Sequence, residues 1–380
     1  MTFPRIVRDD VPFTALQQRL LYMSRYPDRD WVNVVENVPV WPMFPVMRPP
    51  APLEADTYGS CWGDPRLVAA IQRRERSVAG RPVADDQIVV TSGALHAISL
   101  VLRTAVEPGR RVACLAPMFR SICEMFAARG CPIRLFSAAS VESDAGADEL
   151  VRDDVGCVYL NSPNNPSGEV VSQPAVRRLA HRCARAHIPL VVDAVYDDFL
   201  FQDTARTAAL AATDDWRWLY VVNSMSKNYG APGLRIGWVI TAADNAKAIA
   251  GLLERECVAI SGPSQAVAAQ LLADGNQPLV AAVRAGREIA IARIAEISGA
   301  SFVPPRGGTQ LCVRLAVDDV EQFGDFALDR FGLALATRSQ YEGLDGPFIR
   351  FPLGAPAAIA AAAASRLEAA LAAYAALQRS

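Results

Sequence analysis

Ser224-Met225-Ser226-Lys227-Asn228-Tyr229-Gly230-Ala231-Pro232-Gly233-Leu234-Arg235-Ile236-Gly237 joins two short apolar runs, Leu219–Asn223 and Gly237–Ile240. Both runs have the content of buried strands, and the glycines and proline between them mark a turn-rich connection. A lysine just beyond the C-terminal end of a strand sits where open parallel sheets bind ligands. Its amine can form an imine with a carbonyl, and cationic or desolvating surroundings lower its pKa enough to make it a nucleophile and later a proton carrier. Arg235 follows eight residues later (235 − 227 = 8). From there its forked guanidinium can hold a phosphate dianion, with the Ser224 and Ser226 hydroxyls as further donors. Alone, the segment also matches an ordinary Gly/Pro surface loop.

Working outward, Val/Ile/Leu-rich runs alternate with helical patterns from Gln87 to about Ile240. Strands are expected at Gln87–Thr91, Arg111–Leu115, Ile133–Phe136, Cys157–Leu160, Leu190–Asp193, Leu219–Asn223 and Gly237–Ile240. Helices are expected at Ala94–Thr104, Arg120–Arg129 and Gln173–His187, and another is opened by Asp64-Pro65. This order predicts an α/β, doubly wound architecture with seven strands in one sheet. After about Gly262 the pattern changes to helices, strands around Thr309–Leu315 and Phe348–Phe351, and an Ala-rich C-terminal helix. Three parts are expected: 1–50 as an N-terminal arm joined to a small α+β domain, 51–262 as the large domain, and 263–380 as the rest of the small domain.

Further polar groups fall at the ends of the same strands. Asp193 closes Val191-Val192-Asp193, where a carboxylate can pair with a protonated pyridine nitrogen, and Tyr196 can donate to a phenolate oxygen. Asn165 and Pro166 lie in the turn after Cys157–Leu160, and the Asn165 amide can donate to a ring oxygen. Ser92-Gly93-Ala94 leads into a helix whose first N–H groups form an anion seat. Phe119 follows the second strand and can lay an aromatic face on a planar ring. Each of these is also a common turn, cap or core residue when taken singly.

Lys plus Arg number 38 and Asp plus Glu 40, a net charge of −2, so no general attraction to nucleic acid or anionic membrane follows. No basic helix-turn-helix segment precedes residue 50, which argues against a DNA-binding regulator. The first thirty residues carry Arg5, Arg8, Arg19, Arg25 and Arg29 without a signal-peptide core, and Ala355–Leu377 is interrupted by Ser365, Arg366 and Glu368. A cytoplasmic protein without a membrane span is expected. The eight cysteines are scattered, with no CxxC pair or His at ligand spacing, which suggests free thiols and no metal site.

Together these motifs resemble the fold-type I, class I/II pyridoxal 5'-phosphate (PLP) aminotransferases of the aspartate aminotransferase superfamily. The resemblance runs from Tyr58-x4-Gly63 through Ser92-Gly93-Ala94, Phe119, Asn165-Pro166, Asp193-x-x-Tyr196, Ser224-x-Ser226-Lys227 and Arg235 to Arg350. It implies the PLP-dependent transferase fold and transfer of an amino group from an L-amino acid to a 2-oxo acid. In it Lys227 is the Schiff-base lysine and Asp193 the partner of the pyridine nitrogen. Asn165 and Tyr196 donate to the ring hydroxyl, and Phe119 stacks on the ring. Ser92, Gly93, Ala94, Ser224, Ser226 and Arg235 form the phosphate cup. Tyr58 crosses a homodimer interface to the partner's phosphate, and Arg350, with Asn165, binds the substrate carboxylate. The arm Val32–Trp41 lacks the glycine usual in such families, and no clamp for a side-chain carboxylate is evident. The Lys227 segment and Pro305-Arg306-Gly307-Gly308 are also similar to capreomycidine synthase, and the arm resembles that of PLP-dependent arginine oxidases. A cyclase, lyase or oxidase of arginine-type metabolism is therefore the alternative on the same scaffold.

Overall fold

The structure, a computed structural model, describes residues 3–8, 10–47 and 57–379. Seven strands form its main sheet: β1 (Ile88–Thr91), β2 (Arg111–Leu115), β3 (Ile133–Phe136), β4 (Val155–Asn161), β5 (Leu190–Asp193), β6 (Leu219–Ser224) and β7 (Gly237–Ile240). Their spatial order is β1-β7-β6-β5-β4-β2-β3. Strands β6, β5, β4, β2 and β3 pair in parallel, and β7 runs antiparallel to both of its neighbours, β1 and β6. Strands β5 and β6 are buried at every position, as a sheet covered by helices on both faces requires.

Local signals set the helix ends. Asp64 accepts from the Arg66 N–H, Pro65 occupies the first turn, and Gly80 ends the Pro65–Ala79 helix at φ 70°. The helix expected over Gln173–His187 stops at Ala186, because His187 adopts the left-handed conformation as its cap, ahead of Pro189. Arg120–Ala128 ends just before Arg129, with Gly130 at φ 75°.

The second layer system is an antiparallel sheet of Ala300–Phe302, Gln310–Leu315, Phe348–Pro352 and Ala336–Thr337. The Gly262–Asp274 helix packs on Pro65–Ala79, beside the main sheet, whereas Gln277–Ala295 packs on the C-terminal helix Ala357–Arg379. That last helix is long and apolar enough by composition to cross a membrane. Its apolar stripe, Ala360, Ala363, Ala364, Leu367, Ala370, Leu371 and Tyr374, is buried at spacings of three and four, and the helix packs on Gln277–Ala295 and Val320–Phe331.

The N-terminal arm ties the two systems together. Val32 and Asn33 pair in parallel with Leu333 and Ala334, and the Val40 N–H donates to the Gly354 carbonyl. Trp41 Nε1 then donates to the Tyr229 carbonyl at 2.8 Å, in the loop that follows Lys227. Gly230, at φ 54°, allows this approach, since a Cβ there would lie 2.6 Å from the Pro39 carbonyl oxygen.

Candidate active site

Asn161, Asp193 and Ser224, the last residues of β4, β5 and β6, line a cavity of about 290 Å³ at the carboxyl edge of the sheet. Ala94, Phe119, Asn165, Tyr196, Ser226, Lys227, Arg235 and Arg350 line the same cavity, although their sequence positions span both layer systems.

Asp193 is buried, accepts from the Tyr159 hydroxyl at 2.6 Å and from the Val195 N–H at 3.3 Å. Burial pushes its carboxyl up to about 6 against the opposing pull of these two donors. Tyr196 follows in the next turn. Its hydroxyl accepts from Asn37 Nδ2 at 3.1 Å, and burial raises its pKa. Asn37 is itself held on every side: Nδ2 also donates to Gln310 Oε1 at 2.7 Å, and Oδ1 accepts from the Thr309 hydroxyl at 2.9 Å.

Lys227 faces the cavity and donates from Nζ to the Asn37 carbonyl at 2.7 Å. Desolvation, with smaller contributions from the Arg350 and Arg235 charges, lowers its amine to about 7, and Glu36 opposes the shift.

At one end of the cavity the Ala94–Ala105 helix begins at Gly93 with no side-chain cap, so its first N–H groups are available to an anion. Arg235 adopts φ 54°, donates from Nη1 to the Pro232 carbonyl at 3.0 Å, and is exposed at the cavity rim. Gly93 sits at φ 81°, where a side chain is strained, and a Cβ there would also stand 2.6 Å from Arg235 Nη2, so glycine suits the position beside this guanidinium. Ser92 and Gly93 are set back from the lining. The Ser92 N–H donates to His96 Nδ1 at 3.1 Å and its carbonyl accepts from Arg235 Nη2 at 3.5 Å, so the backbone of Ser92 is already engaged. Tyr58 is 88 % exposed and outside the lining of this single chain.

At the other end, Arg350 is buried in Phe348–Pro352 opposite Cys312 and Ala336, and donates from Nη2 to the Val35 carbonyl. Its Nε, and Nε2 of the buried Gln340, have no acceptor among the described residues. Both residues line the cavity, so an anionic group bound there would meet two free donors. Phe119 lies in a two-residue strand paired with Tyr341–Glu342, its ring centroid 6.3 Å from that of Tyr341. The Tyr341 hydroxyl reaches Asn165 Oδ1 at 3.5 Å, and the Asn165 N–H donates to Asn161 Oδ1 at 2.9 Å. Glu36, Asn37, Tyr159 and Gln340, which line the cavity, and Tyr341 beside Asn165 are among the residues that the sequence motifs did not single out. A tyrosine inside an apolar central strand was the one available signal, because a buried hydroxyl needs a partner.

Residues 55–368 match the family described as Aminotransferase class I and II. The chain belongs to the class I and II aminotransferases. It is 40 % identical over 365 residues to the L-aspartate:5-guanidino-3-methyl-2-oxopentanoate transaminase of Pseudomonas syringae pv. syringae, covering 93 % of each chain. It is 34 % identical over 343 residues to the 3-methylarginine biosynthesis aminotransferase ArgM of Streptomyces arginensis, covering 90 % of this chain and 92 % of that one. The crystal structure of an aspartate aminotransferase from Thermotoga maritima superposes with a TM-score of 0.83 at 22 % identity, covering 96 % of this chain and all of that one, which establishes the fold-type I architecture. This aminotransferase therefore uses pyridoxal phosphate to move an amino group between an amino acid and a 2-oxo acid, and the cyclase, lyase and oxidase alternatives give way to transamination.

Proposed function

We propose that this aminotransferase interconverts a guanidino 2-oxo acid and the corresponding arginine-type amino acid, with L-aspartate among its amino donors. The observation that carries the reading is the likeness, over at least 90 % of this chain, to two relatives whose names specify a guanidino 2-oxo acid and 3-methylarginine biosynthesis.

The cavity fits the cofactor. The uncapped helix N-terminus beside Arg235 suits a phosphate, and the buried carboxylate of Asp193 suits a cationic ring nitrogen. Ala94, Ser224, Ser226 and Arg235 are assigned to the phosphate, with Ser92 and Gly93 shaping the seat behind them. Asn165 and Tyr196 are assigned to the ring hydroxyl and Phe119 to the ring face. Bound pyridoxal phosphate supplies the carbonyl that takes the amino group and the electron sink that acidifies the substrate Cα. Lys227 Nζ, whose lowered pKa of about 7 leaves a substantial neutral fraction at neutral pH, is the base for the Cα proton, and Arg350 holds the substrate carboxylate with Asn165 beside it. Two further parts of the reading concern assembly and compartment. Arg235 at the rim and the exposed Met43, Phe44, Val46 and Tyr58 support a homodimer in which Tyr58 reaches the partner's phosphate site. Eight free cysteines support a cytoplasmic location. Packing supports a domain joint at Gly275-Asn276, with 263–274 joining the large domain.

Incubating the holoenzyme with 5-guanidino-2-oxopentanoate and a panel of L-amino acids, with and without O2, tests the function. Arginine formed at the expense of a donor amino group is the expected product. Turnover confined to acceptors without a guanidino group overturns the substrate class, and O2-dependent turnover without a donor overturns transamination.

A further inference from the structure

Of the cationic side chains that line the cavity, Arg235 is assigned to the cofactor phosphate and Arg350 to the substrate carboxylate, and a guanidino substrate brings a further positive charge at the end of its side chain. Such a substrate needs a carboxylate to offset that charge. Among the described lining residues there are two, Asp193 and Glu36. Asp193 is buried and committed to the Tyr159 hydroxyl and the Val195 N–H. Glu36 is exposed, and its one side-chain hydrogen bond among the described residues, from Asn33 Nδ2, spans 3.5 Å, the outer limit of such a contact.

The arm backbone fixes where Glu36 stands. The Val35 carbonyl accepts from Arg350 and the Asn37 carbonyl accepts from Lys227, so Glu36 occupies the single step between the carboxylate grip and the reacting amine. Val35 and Asn37 are buried and Glu36 between them is exposed, which directs its side chain to the open side of the cavity that it nonetheless lines. With the substrate carboxylate at Arg350 and the Cα proton toward Lys227, the open side of the cavity, where Glu36 stands, is left for the substrate side chain. The Glu36 charge also acts on Lys227, which keeps the two within electrostatic reach.

The geometry points to Glu36 as the specificity residue that pairs with the guanidinium of the substrate side chain, an inference that rests on the guanidino reading above. A planar guanidinium and a carboxylate can form two parallel N–H···O bonds. The neutral ureido group of the same length offers the carboxylate no charge.

The test compares kcat/KM for L-arginine and L-citrulline in the wild type, Glu36→Gln and Glu36→Lys. The ratio of the two values does not depend on the fraction of active enzyme, so partial misfolding of a variant leaves it readable. The arginine-to-citrulline ratio is expected to fall roughly ten- to a hundredfold in Glu36→Gln and further in Glu36→Lys. Binding of 5-guanidinopentanoate, which lacks the amino group, should weaken in parallel. A neighbouring cleft shares Leu16, Phe119 and Gln340 with the cavity and contains Glu124, so Glu124→Gln is measured alongside. A wild-type ratio retained in Glu36→Gln, or lost in Glu124→Gln instead, overturns the assignment while the guanidino reading stands. A wild-type enzyme with no preference for arginine over citrulline overturns both.

Discussion

Lys227 donates from Nζ to the main-chain carbonyl of Asn37 at 2.7 Å, so the amine that faces the cavity is tethered to the N-terminal arm. A carbonyl accepts from an ammonium and from a neutral amine alike. The contact therefore holds the side chain in place and leaves its charge to the desolvation and neighbouring cations that bring it to about 7.

The first prediction concerns pH. The folded-state value of about 7 lies below the ordinary 10.5, so between these values the unfolded chain binds the extra proton and the contribution of Lys227 to apoprotein stability rises with pH. Cofactor capture needs the neutral amine. Its rate should climb to a midpoint near pH 7 and then level off, followed by absorbance as apoprotein is mixed with pyridoxal phosphate. A midpoint near 10 would show that the amine is not desolvated. Borohydride reduction of the holoenzyme should leave the pyridoxyl group on Lys227.

Asn37 is predicted to be a positioning residue. Asn37→Ala removes the donor to Tyr196 and Gln310 and the acceptor for Thr309, all buried. Gln310 Oε1 keeps its bond from the Thr309 N–H and the Thr309 hydroxyl keeps its bond to Gln310, so the loss falls chiefly on the Tyr196 hydroxyl; one buried group left unpaired costs about 1–3 kcal/mol, and the melting temperature should fall by a few degrees. The spectral pKa of the cofactor-bound enzyme should shift as well, because Tyr196 loses its partner. A lower melting temperature with an unchanged spectral pKa would make the role structural only.

Arg350→Lys should raise KM and lower kcat/KM roughly ten- to a hundredfold, since a single ammonium replaces a planar fork whose Nε has no acceptor among the described residues. Pyridoxal phosphate should stay bound, because its phosphate and ring groups are assigned to the other layer system. Loss of the cofactor, or wild-type kinetics, would refute the role.

Subunit mixing tests Tyr58. If its hydroxyl serves the neighbouring site, Tyr58→Ala and Lys227→Ala enzymes should each be inactive, and random hybrids should regain roughly a quarter of wild-type activity, one intact site in half of the dimers. No recovery after demonstrated subunit exchange would return Tyr58 to its own chain.

The main sheet was legible because each strand is a short apolar run ended by a polar or turn residue, and the catalytic candidates stand at those ends. Asp193 and Lys227 could be found for that reason. Asn37 could not. Its importance comes from contacts 159 and 273 residues away, and the arm around it has neither a period nor a motif that announces them. Tyr159 was hidden by the strand that carries it: an apolar run reads as core, and only the pairing of β4 with β5 brings its hydroxyl to Asp193. Glu36 belongs to the same patternless arm, and only the engagement of the carbonyls on either side of it sets it apart from other charged residues.

The reversed strand β7 has a consequence for how this enzyme can vary. Because β7 runs against β6, the chain leaves the sheet at Ser224 and re-enters it at Gly237 on the same edge, and a single excursion carries both Lys227 and Arg235. On the roles proposed for Lys227 and Arg235, the residues between them act as a ruler between the carbonyl end and the phosphate end of one small molecule. Insertions or deletions there would pull one anchor off its mark while the other stayed put, so the length of this excursion is constrained by the two residues it carries.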